Sequence, residues 1–463
     1  MFGKLNVIVV LTILTAVLHI THIQCNDNLR VAYQWKEIDF EYRSARDREE
    51  AINSKSFIQG HVVPVGLEVY QTRLFITLPR WKSGVPASLA YIDITDNVTS
   101  SPTLKPYPSW GAHQKGISGE PPEIVSPFRI RADRCGRLWV LDTGVDDILG
   151  ETKRLSHTQL LVYDLHNDNL LRRYPFPADQ TKNESFFANI AVEDGDCEDA
   201  YAYCGDLGAP GLVVYSWKSQ ESWRVNHHYF HPDPLAGNYT ISGISFQWED
   251  GLFGLALSKQ QPDGFATLYF HPLSSTNEFS VSTKVLRNKT YSTSGDSFKE
   301  FKILGSRGLN GQSGAAFLDQ LTGVIFYALP NLNAVACWKT SNREYTFKSQ
   351  GRVYMSPVEM VFPNDVKVDD QDRLWVLSDN LQDLIFSELN RNRINFRILT
   401  AHVKDAIENT ACDTTLAPLP DIINRLGDIL RPQTTSAKSG ASIMLNGYVC
   451  MLIGTILALT TLH

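Results

Sequence analysis

The most regular feature of the chain is a hydrophobic–polar–hydrophobic unit that occurs six times. In each unit, a run rich in Val, Ile, Phe and Tyr is followed by a short polar turn and a second apolar run. This pattern predicts a β-hairpin, because β-branched and aromatic residues favour strands and polar or Gly-containing pairs favour tight turns. The six predicted hairpins are Val62–Leu78, Phe128–Leu141, Ala188–Cys204, Ser242–Leu257, Gly314–Leu329 and Asn364–Leu377.

The spacing of the hairpins indicates how they assemble. They recur roughly every 50–70 residues, within reach of propeller repeats with inserted loops. Further strand-like runs lie between them, among them Gln159–Asp164 and Gly211–Trp217, so that each unit supplies about four strands, the content of one blade. The long amphipathic helices of a (β/α) barrel are nearly absent. The sequence therefore predicts an all-β fold, a six-bladed β-propeller in a single domain.

One short string, Arg-Leu-Trp-Val-Leu, occurs twice, at 137–141 and at 373–377. Each copy follows an acidic turn and forms the second half of a predicted hairpin. Leu, Trp and Val fit a packed sheet, and a buried Trp needs one partner for its N–H. We therefore expect this string to be a buried second strand with a structural role.

The two ends of the chain differ from the propeller region. Residues 1–25 combine one early lysine with a short apolar run, which predicts a secretory signal peptide, and 26–432 form the predicted propeller. Residues 433–463 form a Ser/Thr-rich spacer and a hydrophobic tail, which predicts a GPI-attachment signal or, alternatively, a membrane anchor. We expect a secreted, monomeric protein whose tail attaches it to the cell surface.

Composition narrows the function classes. The net charge of −7 and the lack of a Lys/Arg run argue against nucleic-acid binding. No Cys or His spacing typical of zinc appears, so we expect no metal site. The predicted propeller, 26–432, contains five cysteines, so at least one of them has no partner within it. Glycosylation is predicted at the four Asn-x-Ser/Thr sequons, namely Asn97, Asn183, Asn238 and Asn288.

The residues that fill the hairpins resemble the yellow / major royal jelly protein family of insects. The resemblance runs over most of the chain and is carried by LPRWKSGVPASLAYID (78–93), RADRCGRLWVLDTG (131–144), FFANIAVEDGDCEDAYAY (186–203), VKVDDQDRLWVLSDN (366–380) and ENTACD (408–413). It implies a six-bladed propeller, in agreement with the repeat pattern. It also implies disulfides between Cys135 and Cys197 and between Cys337 and Cys412, which leaves Cys204 as the odd thiol.

The same resemblance implies several functions between which the fold does not choose. Members of the family are linked to melanin pigmentation of the cuticle, to dopachrome rearrangement, to biogenic-amine binding and to food storage. Dopachrome rearrangement moves one proton off carbon and returns another to oxygen, which requires an acid and a base beside a flat aromatic ring. We expect a dopa-derived or biogenic-amine ligand, bound and perhaps isomerised by a pigmentation protein.

Candidate groups lie where the inner strands of the predicted blades begin, because the loops of one propeller mouth converge there. Asp365 is the candidate base or amine partner. The other candidate ligand-binding residues are Asn189, Asn364, Ser242, Ser313, Phe128, Phe187 and Phe362. The alternative interpretation is that these Asn, Asp and Ser side chains bond loop N–H groups, a common role for them.

Two other functions stay open at this point. One is a non-enzymatic extracellular protein that binds a ligand or organises the cuticle. The other is a calcium-dependent propeller hydrolase, in which Asn364 and Asp365 would hold the ion with their oxygens. Only this last alternative would require a cofactor.

Overall fold

The computed structural model describes residues 28–95, 98–116 and 118–413, and within them six four-stranded antiparallel sheets form the blades of a β-propeller. The first strand, β1 (Arg30–Trp35), belongs to the last blade. From the innermost to the outermost strand, the first three blades are β2 (Gly66–Tyr70), β3 (Arg73–Thr77), β4 (Leu89–Asp93) and β5 (Lys105–Pro106); β6 (Pro127–Ala132), β7 (Arg137–Asp142), β10 (Gln159–Asp164) and β11 (Leu170–Pro175); and β12 (Phe187–Glu193), β13 (Tyr201–Asp206), β14 (Gly211–Ser216) and β15 (Glu221–Val225).

The other three blades follow in the same order. They are β18 (Leu252–Leu257), β19 (Thr267–Pro272), β20 (Asn277–Ser282) and β21 (Lys302–Ser306); β22 (Ala316–Asp319), β23 (Val324–Leu329), β24 (Ala334–Lys339) and β25 (Gln350–Met355); and β26 (Phe362–Val368), β27 (Arg373–Asp379) and β28 (Phe396–His402), with β1 as the outermost strand.

Shorter elements lie between and beside the blades. Two small hairpins are formed by β8 (Val145–Asp146) with β9 (Lys153–Arg154) and by β16 (Asn238–Ile241) with β17 (Ile244–Gln247). The α-helices are α1 (Ala45–Asn53), α2 (Thr283–Leu286), α3 (Lys289–Ser292), α4 (Leu381–Phe386) and α5 (Val403–Ile407). Single 3-10 turns occupy Gln59–His61, Trp110–His113, His228–Phe230, Pro234–Ala236, Ser297–Glu300, Pro330–Leu332 and Phe347–Ser349.

The ring of blades is closed by the N-terminal segment. Each inner strand packs against the inner strands of the two neighbouring blades, and β26 packs against β2 to complete the circle. β1 pairs antiparallel with β28, so that Trp35 lies opposite Phe396. Residues from the start and the end of the described chain thus share one sheet, so the N-terminal strand completes the last blade.

The repeated Arg-Leu-Trp-Val-Leu string is a buried second strand, as predicted, and forms most of β7 and β27. Trp139 donates its Nε1–H to Asp133 Oδ2 at 2.7 Å, and Trp375 donates to Asp369 Oδ2, also at 2.7 Å. Each acceptor lies six residues earlier, in the turn that opens the strand. The acidic turn before each copy therefore satisfies the indole N–H that the strand buries.

Five of the predicted hairpins are confirmed, and the fourth is wrong. Within Ser242–Leu257, β17 pairs with β16 and β18 pairs with β19, so the two halves belong to different sheets. The reversal occurs at Ser242 and Gly243, whose φ angles of 49° and 83° suit a tight hairpin turn between β16 and β17. Glu249–Gly251, predicted as the turn, instead connects this hairpin to the inner strand of the fourth blade.

The disulfide pairing implied by the family resemblance is confirmed. Cys135 in the β6–β7 turn bonds Cys197 in the β12–β13 loop and joins the second blade to the third. Cys337 in β24 bonds Cys412 and ties the end of the described chain to the fifth blade. Cys204 in β13 is a buried free thiol.

Several other predictions concern the ends and the surface. The predicted signal peptide, the predicted tail and Asn97 lie outside the described residues. The side chains of Asn183, Asn238 and Asn288 are exposed, as glycan acceptors require, and glycosylation there stays a prediction. Across 28–95, 98–116 and 118–413, the model contains no helix that is long and apolar enough to cross a bilayer.

Candidate functional site

A cavity of about 340 Å³ lies at the mouth of the propeller where the inner strands begin, and we call it the mouth cavity. Every blade contributes one residue to its floor at the start of the inner strand. In chain order these are Val65, Phe128, Ala188, Phe253, Gly314 and Asn364. The volume is near the lower end of the range for small-molecule sites.

β-Bulges place four of these floor residues. The register of the inner strand shifts across Phe128 in β6, Ala188 in β12, Phe253 in β18 and Asn364 in β26. A bulge adds one residue to one strand and redirects its side chain, and bulges are common beside active sites. Here the same irregularity, repeated in four blades, lines the floor of the cavity with the inserted residues.

The walls of the mouth cavity are mainly apolar and include several aromatic rings. Trp81 meets Phe128 edge to face with ring centroids 5.0 Å apart, and Phe128 meets Phe186 at 4.6 Å. On the opposite side, Trp248 meets Phe362 at 6.1 Å. Trp81 Nε1 is buried and has no hydrogen-bond partner among the described residues. The cavity therefore offers ring faces for a flat ligand and one indole donor that the protein leaves unused.

Asp250 is the one carboxylate among the described residues that line the mouth cavity. The loop that carries it is fixed from both sides, since Asp250 N donates to Ser274 Oγ at 3.3 Å and Ser274 N donates to Asp250 O at 3.1 Å. The next residue must be Gly251, because a Cβ there would come within 2.5 Å of a Pro210 side-chain carbon. Burial among apolar groups raises the pKa of Asp250 to about 6.

A buried polar chain borders the cavity on the β26 side. Arg129 Nη2 donates to Asn364 Oδ1 and to its carbonyl oxygen, both at 2.7 Å, and Asn364 Nδ2 donates to Asp379 Oδ2 at 2.7 Å. Burial raises the pKa of Asp379 to about 7, against the opposing effects of the Asn364 hydrogen bond and of the Arg129 charge. Arg129 Nε is buried without a hydrogen-bond partner among the described residues.

Asp365, the predicted base or amine partner, lies below the mouth cavity and does not line it. Its carboxylate is fully buried and accepts from Leu67 N at 2.9 Å and from Lys367 Nζ at 2.8 Å. Arg129 Nε lies 3.5 Å away. Because protein groups already surround both oxygens, Asp365 holds the inner strands together rather than facing a ligand. The prediction of its role is wrong for this reason.

The other predicted ligand-binding residues divide into two groups. Phe128, Phe362 and Asn364 line the mouth cavity, as predicted. Ser313 is buried next to the floor residue Gly314 without lining the cavity, and its Oγ has no hydrogen-bond partner among the described residues. Asn189 lies deeper in the channel, where its Nδ2 donates to Phe253 O at 2.7 Å.

Two of the predicted positions are wrong. Phe187 packs in the core between the second and third blades, 5.2 Å from Phe176, because the bulge after it turns Ala188 towards the cavity. Ser242 is exposed in the β16–β17 turn, far along the chain from the start of β18. The aromatic neighbour of Phe187 that does line the cavity is Phe186, one residue earlier.

Comparison with known proteins identifies the family. The model of the major royal jelly protein family matches residues 125–412, from the start of the second blade to the second cysteine of the Cys337–Cys412 disulfide. The match covers more than half of the chain. This chain belongs to the major royal jelly protein family.

Within that family, the chain is similar to yellow proteins of flies. It is 42% identical to "Protein yellow" of Drosophila subobscura over 404 residues, covering 87% of this chain and 70% of that one. It is also 42% identical to "Protein yellow" of Drosophila melanogaster over 388 residues, covering 83% and 71%. Among solved structures, a protein of unknown function from Bacteroides thetaiotaomicron gives a TM-score of 0.45 at 10% identity, covering 80% of this chain and 75% of that one. That likeness is too weak to add to the topology described above.

The sequence contained signals for the residues that sequence reasoning missed. Trp81 lies in the string 78–93 that carries the family resemblance, and Trp248 and Asp250 lie in QWEDG of the fourth predicted hairpin. The Glu-Asp-Gly string is typical of a hairpin turn, and because of this interpretation Asp250 was not among the candidate site residues. In this structure the string instead places a carboxylate at the mouth of the channel.

Proposed function

We propose that the mouth cavity binds a small aromatic amine or another catechol-derived ligand, and that the protein acts outside the cell in pigmentation. The observation that carries the proposal is the ionisable carboxylate of Asp250 in a largely apolar cavity that also presents aromatic rings. A protonated amine would neutralise this desolvated charge, and the ring of the ligand would lie against the faces of Trp81, Phe128 or Trp248. Family membership supports the same ligand class.

The opposite side of the cavity suits the ring oxygens. Asn364 and Arg129 line this side of the mouth cavity, and Trp81 Nε1 is a further unpaired donor in its lining. Catechol and quinone oxygens accept hydrogen bonds, so a hydroxylated ring uses donors that a plain phenyl ring leaves unpaired. We expect dopamine to bind more tightly than phenethylamine.

The test is calorimetry of the purified protein with dopamine. Asp250→Asn should weaken binding by at least about tenfold, since the charge-assisted contact with the amine is lost. Glu249→Gln is the matched control, because it removes an exposed carboxylate one residue away that does not line the cavity. Equal dopamine affinity in the Asp250→Asn variant and the wild type would refute the assignment of this carboxylate.

A second function, the isomerisation of dopachrome, is favoured by the raised pKa of Asp250. A base with a pKa of about 6 is ionised at neutral pH and still accepts a proton readily. Asp250 would take the proton from the carbon next to the ring nitrogen, and a proton would return to the quinone oxygen, so that no oxidant or reductant is needed. Arg129 and Asn364 would stabilise the negative charge that develops on that oxygen.

The decay of dopachrome absorbance tests this second function. We expect a rate that rises between pH 5 and 7, with a midpoint near 6, and that falls to the uncatalysed rate in Asp250→Asn. Tight amine binding without faster decay would leave the non-enzymatic binding protein. Neither signal would leave a structural role.

The calcium-dependent alternative fits these residues less well. Calcium requires several free oxygen ligands, whereas the oxygens of Asn364 and Asp365 accept hydrogen bonds from Arg129 and Lys367, two cationic side chains. Activity that is lost in a chelator and restored by calcium would revive it.

The proposal includes export and surface attachment. Two disulfides are typical of an oxidising compartment. We expect glycosidase treatment to lower the apparent mass through Asn183, Asn238 or Asn288. Release from cells by a phosphatidylinositol-specific phospholipase would identify the tail as a GPI signal, and retention would identify a membrane anchor.

A further inference from the structure

A second and larger cavity, of about 800 Å³, lies beside α1, and we call it the α1 pocket. It is separate from the mouth cavity, and the two share no lining residue. The wall between them is the loop of Arg80 and Trp81, which Ile148 N and Leu149 N hold by donating to the carbonyl oxygens of these two residues. Arg80 lines the α1 pocket, and Trp81 lines the mouth cavity.

Arg80 is a buried cation without an ion-pair partner among the described residues. Its side chain is 8% exposed, and Nη2 donates to His113 O at 2.8 Å. Nε is buried and unpaired, and no hydrogen bond within the described residues occupies Nη1. Burial lowers the pKa of Arg80, an effect that Asp146 and Asp142 oppose. A guanidinium in this state suits a carboxylate from outside the chain, because both of its free positions are donors.

The nearby histidine does not supply a second cation. His113 Nε2 lies 2.9 Å from Tyr107 O, which can only accept, so this nitrogen carries the proton. Nδ1 then accepts from Ser88 N at 3.3 Å. Burial, with the charge of Arg80, lowers the pKa of His113 to about 3, so that it is neutral at physiological pH.

Asp146 provides the opposite charge on the same wall. It lies in β8, is half-buried and lines the α1 pocket. It is the carboxylate whose charge acts most strongly on Arg80, yet the two are too far apart to form an ion pair within 4 Å. By contrast, Asp142 is already saturated by Val125 N and Ser126 N, at 3.0 and 2.7 Å. Arg80 and Asp146 are therefore a cation and an anion that each lack an ion-pair partner among the described residues. The other charged residues that line the pocket, Arg43, Asp47 and Glu50, are exposed.

An aromatic platform faces this pair of charges. Tyr42 and Trp110 lie with ring centroids 4.7 Å apart, and both line the α1 pocket. Trp110 Nε1 donates to Glu41 O at 3.2 Å, which fixes the indole. The hydroxyl of Tyr42 is buried and has no hydrogen-bond partner among the described residues. The platform offers a ring face and one free hydroxyl to a ligand.

We infer that the α1 pocket binds a free aromatic α-amino acid. The carboxylate of the ligand pairs with Arg80, its ammonium group pairs with Asp146, and its ring lies against Tyr42 and Trp110. A zwitterionic headgroup carries an ammonium and a carboxylate group on one carbon, so it can pair with a cation and an anion that do not reach each other. A simple amine or a simple acid would pair with one of the two charges and leave the other unpaired.

Three ligands that differ by one group test this inference. They are L-tyrosine, tyramine, which lacks the carboxylate, and 3-(4-hydroxyphenyl)propionate, which lacks the amine. Calorimetry uses the full-length Asp250→Asn variant, in which the amine site of the mouth cavity is disabled. We expect L-tyrosine to bind at least about tenfold more tightly than either truncated ligand. Equal affinity for tyrosine and tyramine would overturn the inference, and so would no tyrosine binding at millimolar concentration.

Variants locate the binding. Asp146→Asn should lower tyrosine affinity at least about tenfold, and Arg80→Lys should also lower it, because an ammonium lacks the fork of donors. In the protein that keeps Asp250, Asp146→Asn should leave tyramine binding to the mouth cavity unchanged. This control distinguishes loss of the tyrosine site from failure of the mouth cavity. Unchanged tyrosine affinity in Asp146→Asn would refute the assignment. If a variant does not fold, the comparison of the three ligands decides.

Discussion

Replacing Asp250 by Asn should make the folded protein more stable while it removes ligand binding. Burial raises the pKa of Asp250 from 3.8 to about 6, a shift of about two units, and each unit corresponds to about 1.4 kcal/mol. The ionised carboxylate therefore lowers the free energy of unfolding by about 2 to 3 kcal/mol at neutral pH. Asparagine has nearly the same shape and no charge, so it avoids this cost.

The effect has a defined pH dependence. Below about pH 4 the carboxyl is mostly protonated in the folded and in the unfolded chain, so it does not lower the free energy of unfolding. Between about pH 4 and 6 the unfolded chain ionises first, and the penalty grows; above pH 6 it is complete. The free energy of unfolding of Asp250→Asn should thus exceed that of the wild type by the full amount at pH 7.5 and by little at pH 4.

Urea unfolding at pH 7.5 and pH 4, followed by intrinsic fluorescence, measures this difference. Glu249→Gln is the control and should match the wild type at both pH values, since its carboxylate is exposed. The reasoning is refuted if Asp250→Asn is no more stable than the wild type at pH 7.5. It is also refuted if the advantage is as large at pH 4 as at pH 7.5.

Three further predictions follow from the fold and the cavity. Changing Cys135 and Cys197 to Ser opens a cross-link that spans 62 residues and should cost about 3 to 4 kcal/mol in urea unfolding; an unchanged midpoint would contradict this. Ala188→Leu extends a floor residue into the mouth cavity and should abolish dopamine binding in calorimetry while circular dichroism stays native; retained binding would contradict the placement by the bulge. Burial raises the pKa of the Cys204 thiol, so a thiol reagent should label it only after unfolding, and rapid labelling of the folded protein would contradict its burial.

The blades were predictable from the sequence because a hairpin is a local pattern. In the second and sixth blades, the turn, the Trp and the carboxylate that accepts the indole N–H lie within seven residues. A short stretch of sequence therefore contains all the groups of this arrangement. The fourth blade was misplaced because Glu249–Gly251 has the composition of a turn whether it reverses the chain within a sheet or connects two sheets. That choice depends on β16, whose pairing with β17 is visible only in three dimensions.

The cavity was less predictable, because its floor depends on bulges. Strict alternation along β12 would point Phe187 and Asn189 to the same side, and a register shift between them breaks that alternation. No residue type in the string marks the shift. Phe128 and Asn364 line the cavity, and their binding of a ligand stays a prediction. Phe187 lies in the core, because one position along the strand decides whether a residue lines the cavity or the core.

The contrast between Asp365 and Asp250 indicates which part of the channel is open to a ligand. Below the mouth cavity, charged side chains of the inner strands pair with each other: Lys367 with Asp365 at 2.8 Å, and Arg131 with Glu68 at 3.1 Å. These pairs satisfy buried charges and occupy the channel interior, so a carboxylate within them has no position left for a ligand.

Asp250 is different. Hydrogen bonds with Ser274 fix its backbone, and its carboxylate has no partner among the described residues. A buried charge that the fold does not pair costs stability, and ligand binding recovers that cost when the ligand carries the opposite charge. The same reasoning singles out Arg80 and Asp146 in the α1 pocket. In each cavity, the proposed binding groups are therefore charges without an ion-pair partner among the described residues, whereas both oxygens of Asp365 already have partners.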